Sequence, residues 1–268
     1  MFKAQFIARF KTMLTYKFTV LSGGITQIIF AFFKIFILTV FIKNNINSSP
    51  MNIAESVTYI WLTQIFFALI PWNVNWEDMN LFVSGNIVYE MARPGSLLGL
   101  LYSRTLSWRL ANTIMRAIPL LAFNLVVLPV FGFSNYMIAA GTKWHIILFV
   151  LSLSISFFLS SMITVFLYSL ALHLTNASNF LGVINSVSMV LSGTVIPLSF
   201  FPEWGQWILR LQPFKGVIDT PAMILIGAYS YKECFAFILL QLMWTCCLWG
   251  INYLLFRNGE KRMVVQGG

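Results

Sequence analysis

Catalysis needs ionisable or nucleophilic side chains held together, and this chain supplies few. It carries 17 Lys and Arg, 8 Asp and Glu and 2 His in 268 residues. Its two aspartates, Asp78 and Asp219, fall on opposite sides of the layout set out below, so they cannot form the paired carboxylates of an intramembrane protease. His145 and His173 bracket one hydrophobic stretch, which puts them at opposite ends of a helix and excludes a shared metal site. Each reads as an interface residue. Cys234, Cys246 and Cys247 all lie in the last hydrophobic stretch, where they read as helix-packing groups rather than a disulfide framework. No G-x-x-x-x-G-K-[ST], H-E-x-x-H or G-x-S-x-G occurs. The chain therefore has no P-loop, no zinc-protease helix and no nucleophile elbow, and no catalytic residue is assigned.

What remains is a set of polar groups inside apolar runs. Lys34 lies near the middle of the first run. A basic group there costs roughly 2.5–3.5 kcal/mol on insertion scales, so it either meets a polar partner or cavity, or snorkels outward along a tilted helix. Arg116 lies little more than a turn from a surface and reads as snorkelling. Gln27, Gln64, Asn124, Asn185 and Ser188 are further polar residues within runs. Hydrogen bonds between helices explain most such groups. Lys34, Gln27, Gln64, Asn185 and Ser188 are the candidates for a translocation path.

The elements that position these residues follow from hydropathy. Apolar residues make up 59% of the chain and charged residues 9%, against about 25% charged in a soluble domain. The expectation is an all-α integral membrane protein of six spans, near 19–42, 54–74, 110–133, 144–169, 179–200 and 232–256. The first run is too long for a signal-peptide core and no A-x-A site follows it, so it is expected to remain as a span. Residues 1–17 read as a basic amphipathic helix in the membrane interface, with Phe2, Phe6, Phe10, Met13 and Leu14 on one face. The whole chain, 1–268, reads as one transmembrane domain.

Loop charge orients the spans. Ten basic residues (Lys3, Arg9, Lys11, Lys17, Arg93, Arg104, Arg109, Arg257, Lys261 and Arg262) stand on one side. Five (Lys43, Lys143, Arg210, Lys215 and Lys232) stand on the other. The bias places both termini in the cytoplasm of a multi-pass cell-membrane protein. The net charge of +9 is accounted for by this pattern and by contact with anionic membrane lipid, not by nucleic acid.

Two connections are unusual. Residues 75–109 form a long inner connection with Glu77, Asp78 and Glu90, and its Ile87, Val88, Met91, Leu97, Leu98, Leu100 and Leu101 need a cover. A mixed apolar and charged surface suits docking onto a partner; the alternative is an interfacial helix packed on the chain's own spans. Residues 191–227 are too apolar for an ordinary loop and too broken by Pro197, Pro202, Pro213 and Pro221 for one helix. Irregular backbone at membrane depth is tolerated where protein buries it or a watery cavity borders it. So a re-entrant outer segment over 197–227 is expected. The chain should leave the fifth span near Pro197, and Glu203 to Leu211 should form a short helix with Trp204, Trp207, Ile208 and Leu211 on one face.

These stretches carry a family resemblance. Ser84 to Pro94, SGNIVYEMARP, resembles the "G-x-(I/L)-x-x-x-L-x-R-P" connection of permease subunits of type-2 ABC transporters, with Met91-Ala92 where a Leu-rich pair is usual. Leu191 to Phe214, with Gly193, Pro197, Leu198, Phe201, Pro202, Pro213 and Phe214, is similar to that family's segment between its fifth and sixth helices. Arg257 to Gly268 resembles a basic, Gly-Gly-ending tail found in one branch. The resemblance implies a six-helix permease that pairs with a second permease, identical or a sister protein. Two separate ABC ATPase subunits would bind ATP and Mg; no cofactor is expected in this chain. It implies ATPase coupling through Glu77, Asp78, Gly85, Glu90, Arg93, Pro94 and Gly95. It also implies an outer gate at Pro197, Phe200, Phe201, Pro202, Glu203 and Trp204. The importer-type E-A-A…G loop is not evident, which favours export. Two other readings stay open: a non-transporting accessory or scaffold subunit, and a lipid-modifying membrane enzyme.

Overall fold

A computed structural model describes residues 2–15, 17–45, 49–71, 76–91, 96–171 and 177–262. Among these the secondary structure is entirely helical. The helices are α1 (Phe2–Thr15), α2 (Lys17–Asn44), α3 (Ile53–Ile65), α4 (Trp76–Val83), α5 (Ile87–Met91) and α6 (Leu97–Ala122). They continue as α7 (Leu128–Val130), α8 (Lys143–Ala171), α9 (Ala177–Leu191), α10 (Glu203–Leu211), α11 (Asp219–Leu225) and α12 (Tyr231–Arg262). Among the described residues, four stretches are long and apolar enough to cross a bilayer: Ser22–Asn44, Leu97–Val130, Lys143–Leu170 and Tyr231–Gly259. The chain is a multi-pass, membrane-embedded, all-helical protein.

The two remaining expected spans are shorter. α3 has 13 residues and α9 has 15, so at about 1.5 Å per residue each reaches only about 20–22 Å. α3 starts sharply because Asn52 and Glu55 cap it reciprocally: the Asn52 side chain accepts from Glu55 N, and Glu55 Oε2 accepts from Asn52 N at 2.8 Å. After α3 the backbone tightens into a 3-10 turn over Phe67–Leu69. α9 ends at Leu191, not near Pro197. The stop is Gly193, whose φ of +76° is open to glycine at little cost; proline merely keeps the helix from resuming.

α6 also departs from the expected boundaries. It begins at Leu97 behind the Ser96 cap, so the connection expected over 75–109 ends at Ser96, and Arg104, Trp108 and Arg109 are helical. Pro119 lies inside α6, and a π turn over Phe123–Val127 follows before α7. Proline removes a ladder hydrogen bond, which accounts for the irregular turn one step on.

α8 is the hub, packing against α6, α11 and α12. It carries a Ser/Thr row at four-residue spacing, Ser152, Ser156, Ser160 and Thr164, all buried. Small residues let helices approach closely, and their hydroxyls satisfy groups that lipid cannot. Ser152 donates to Gln241 Oε1 of α12 at 2.9 Å. Ser156 donates to the Gly216 carbonyl at 2.8 Å, Ser160 to the Leu69 carbonyl, and Thr164 to the Pro71 carbonyl at 3.1 Å. Three of the four thus serve carbonyls left over by broken backbone in two other parts of the chain, and Ser152 ties α8 to α12.

At one end, Met79, Phe82, Ile87, Leu97, Leu98 and Leu101 pack with Val165, Leu167, Tyr168 and Phe256. The apolar residues of the connection after α3 are therefore covered largely by α8 and α12 of the same chain. α1 lies against α6, with Phe6 and Phe10 stacked at 5.8 Å.

Candidate functional site

Broken backbone, buried charge and a groove meet around the segment between α9 and α12. Lys215 and Asp219 stand four residues apart, at the turn before α11 and at its first position. Lys215 Nζ donates to Asp219 Oδ2 at 2.5 Å and to Tyr229 Oη at 2.7 Å. Asp219 Oδ1 accepts from Tyr59 Oη of α3 at 2.8 Å and from Leu198 N at 3.3 Å. The Tyr59 hydroxyl also lies 3.0 Å from the Gly193 carbonyl. One carboxylate therefore ties together α3, the turn after α9, the chain beyond Pro197 and α11. Burial pulls the Lys215 ammonium down, but Asp219 and Tyr229 outweigh it, so the group is held above its ordinary value. Burial, and then Asp219, pushes the Tyr229 hydroxyl up to about 12. The ammonium also sits 4.9 Å from the Phe237 ring centre and 5.3 Å from that of Tyr229.

Gly193 is tight for a second reason besides its φ. A Cβ there would fall 2.2 Å from Tyr59 Oη. No side chain fits between the turn and the tyrosine.

Arg109 forms a second buried site. It is 0% exposed. It donates to the carbonyls of Ala68 at 2.9 Å, Ile70 at 3.0 Å and Pro71 at 3.4 Å, and to Thr164 Oγ1. These carbonyls close the 3-10 turn after α3, where a helix end exposes acceptors and partial negative charge. Arg109 thus satisfies a helix terminus inside the protein. It is not one of the surface charges that the loop count assumed.

Between α2, α3 and the turn after α9 lies an open groove of about 380 Å³. Its lining includes Phe30, Phe33, Lys34, Ile37, Tyr59 and Thr63, and then Gly193 to Pro197. Lys34 is partly buried and does not run out along the helix: its Nζ donates to the Thr194 carbonyl at 2.8 Å. Of the path candidates, Lys34 alone lines this groove among the described side chains. Gln27 is buried on α2 with neither amide atom bonded to protein among the described residues. Gln64 donates to Thr63 Oγ1 at 3.3 Å. Ser188 is fully buried in α9, and the Asn185 side chain lies outside the described residues.

The outer-gate candidates fall together. α10 spans Glu203–Leu211, as its sequence implies. Trp204 and Trp207 are 78% and 64% exposed, with Ile208 and Leu211 on the same face. Gln206 points the other way and donates to the carbonyls of Leu198 at 2.9 Å and Phe201 at 2.8 Å, which ties α10 to the turn before it. Phe200 meets Phe41 of α2 edge-on at 5.9 Å. Pro197 is buried, while Pro202 and Glu203 are exposed.

The coupling candidates divide. Asp78 is buried and pairs with Arg104 at 3.6 Å; Glu90 pairs with the same guanidinium at 2.8 Å. Glu77, Gly85 and Tyr89 are exposed. Arg93, Pro94 and Gly95 lie outside the described residues. His145 stacks on Tyr231 at 5.1 Å and receives the Thr142 amide on Nδ1, a cap for the start of α8; His173 lies outside the described residues. Cys234 is buried, whereas Cys246 and Cys247 are exposed.

No protein-family model and no curated protein matches this chain. Its chemistry must therefore be read from its own geometry.

Sequence reasoning passed over Tyr59 and the Ser152–Thr164 row, and took Arg109 for an inner-surface charge. The row was readable as four-residue Ser/Thr spacing in an apolar helix, and Lys215–Asp219 as a charge pair one turn apart. Their partners were not: Tyr59 and Asp219 lie 160 positions apart, Ser152 and Gln241 89, and Arg109 and Ala68 41.

Proposed function

We propose that this chain is the membrane-spanning subunit of an ATP-driven ABC exporter of the type-2 family. It would form the translocation path with a second permease, identical or a sister protein, above two ATPase subunits that carry ATP and Mg. One observation carries the reading. The segment after α9 is broken and apolar, and it is tied to the bundle by a buried carboxylate, Asp219, and by bonds from Lys34, Ser156 and Gln241, beside an open groove. Irregular backbone at membrane depth persists where protein buries it or a cavity borders it, and here a groove runs beside it. The type-2 ABC motifs after the second and fifth apolar runs stand in the matching order.

In this reading α3 with its 3-10 turn is the second crossing and α9 with the turn to Pro197 is the fifth. Irregular backbone completes both where the helices fall short of the roughly 30 Å hydrocarbon core. The termini and α4–α5 are cytoplasmic, residues 197–227 re-enter from outside, and α10 lies under the outer headgroups with its tryptophans in the interface. Phe200 and Phe201 close the exit, and the exposed surface of Glu77, Gly85 and Tyr89 receives the ATPase.

The accessory-subunit reading has one observation in its favour: Asp78 and Glu90 already engage Arg104 within the chain. Affinity purification from the native membrane separates the two. Recovery of a P-loop ATPase, with ATP hydrolysis stimulated in liposomes and transport lost on Glu77→Lys with Tyr89→Ala, supports the permease. Purification without an ATPase rejects it.

A further inference from the structure

The groove beside Lys34 has apolar walls and one basic side chain. One wall is the exposed face of α2 with Phe30, Phe33 and Ile37; the other is the turn after α9 with Val195 and Ile196. The volume, about 380 Å³, falls in the range of small-molecule sites, about 300–1,000 Å³, and suits one hydrocarbon chain. A single charged group lines it. The Lys34 ammonium has three donors and spends one on the Thr194 carbonyl. No carboxylate pairs with it among the described residues. Asp219, bonded to the groove-lining Tyr59, is already held by Lys215, Tyr59 and Leu198. An uncompensated cation in apolar surroundings is costly and gains most from an anion that brings its own apolar body.

We infer that the groove binds a single-chain anionic amphiphile, with its acidic head on Lys34 and its tail along Phe30, Phe33 and Ile37. The opening toward the surface of α2 lets such a molecule enter sideways from the bilayer. That this compound is cargo rests on the permease reading; the binding itself does not.

The test uses the purified full chain in nanodiscs and palmitic acid carrying a photoreactive diazirine near its carboxyl end. Saturable labelling that maps to α2 and to 193–197, and that unlabelled palmitate competes away, is expected. Lys34→Leu should raise the half-saturating concentration about tenfold or more, the scale of one charge-assisted hydrogen bond, while Lys34→Arg keeps it within a few-fold. Ile37→Trp fills the groove without touching the charge and should abolish labelling in folded protein. A neutral monoacylglycerol probe should bind weakly and be indifferent to Lys34→Leu. Labelling that does not saturate, equal labelling by the neutral probe, competition by phosphatidylglycerol but not by palmitate, or an unchanged Lys34→Leu would each overturn the proposal. Absence of an ATPase partner would sink the permease reading and leave this labelling intact, so the two failures are distinct.

Discussion

Removing the Asp219 carboxylate strips the segment between α9 and α12 of its central acceptor. The residue is fully buried and receives Lys215 Nζ at 2.5 Å, Tyr59 Oη at 2.8 Å and Leu198 N at 3.3 Å. Asp219→Ala leaves the Lys215 cation buried with a tyrosine hydroxyl and two ring faces for company. Breaking a buried pair on one side costs about 3–5 kcal/mol. At about 2–4 °C per kcal/mol for a chain of this size, the melting temperature should fall by roughly 6–20 °C. Tyr59→Phe removes one bond to a charged acceptor and should cost about 1.5–3 kcal/mol. The double change Lys215→Met with Asp219→Leu removes both charges together, and such replacements are often neutral or stabilising. It should therefore recover more than half of the single-variant loss. Thermal unfolding of the purified variants in one detergent gives the ranking. A double variant as unstable as Asp219→Ala, or an Asp219→Ala that melts within the error of wild type, would refute the view that an ion pair organises this region.

Three further outcomes are expected. Gly193→Ala meets a φ of +76° and places a Cβ 2.2 Å from Tyr59 Oη; the left-handed backbone alone costs about 1–2 kcal/mol. Adding Tyr59→Phe removes the clashing atom and should restore part of the melting temperature, whereas simple additivity would deny the contact. Arg109→Met orphans the carbonyls of Ala68 and Ile70 and leaves that of Pro71 to Thr164 alone, at about 1–3 kcal/mol for each buried group left unsatisfied. Size-exclusion chromatography should find most of the variant aggregated, and a monodisperse, normally melting protein would show the guanidinium dispensable. For topology, a membrane-impermeant maleimide on intact cells should label Lys43→Cys and not Ser84→Cys in a background without Cys234, Cys246 and Cys247; both positions are exposed, and the reverse pattern inverts the orientation.

Local features were legible in the chain itself. The helical character, the four long apolar runs, the amphipathic α10 and its exposed tryptophans all follow from composition and from three- and four-residue spacing, which act over one or two turns. Lys34 was legible as an anomaly, because a charge in an apolar run must be compensated somewhere. Gly193 and the four prolines marked a broken segment, although glycine ended α9 six residues before Pro197.

What compensates each anomaly was settled by tertiary structure. Lys34 finds the Thr194 carbonyl 160 positions away, and Tyr59 finds Asp219 across the same distance. Arg109 looked like an inner-surface cation by its place near a loop, yet the end of α3 needed a donor and α6 carried the guanidinium into the core. Asp78 and Glu90 looked available to a partner until α4 and α5 folded back on Arg104. The reason is common to all four. Periodicity fixes which residues share a face, but in a medium without water each buried charge and loose carbonyl must take the partner that packing delivers. That choice depends on which helices touch, and it is written in no single stretch of sequence.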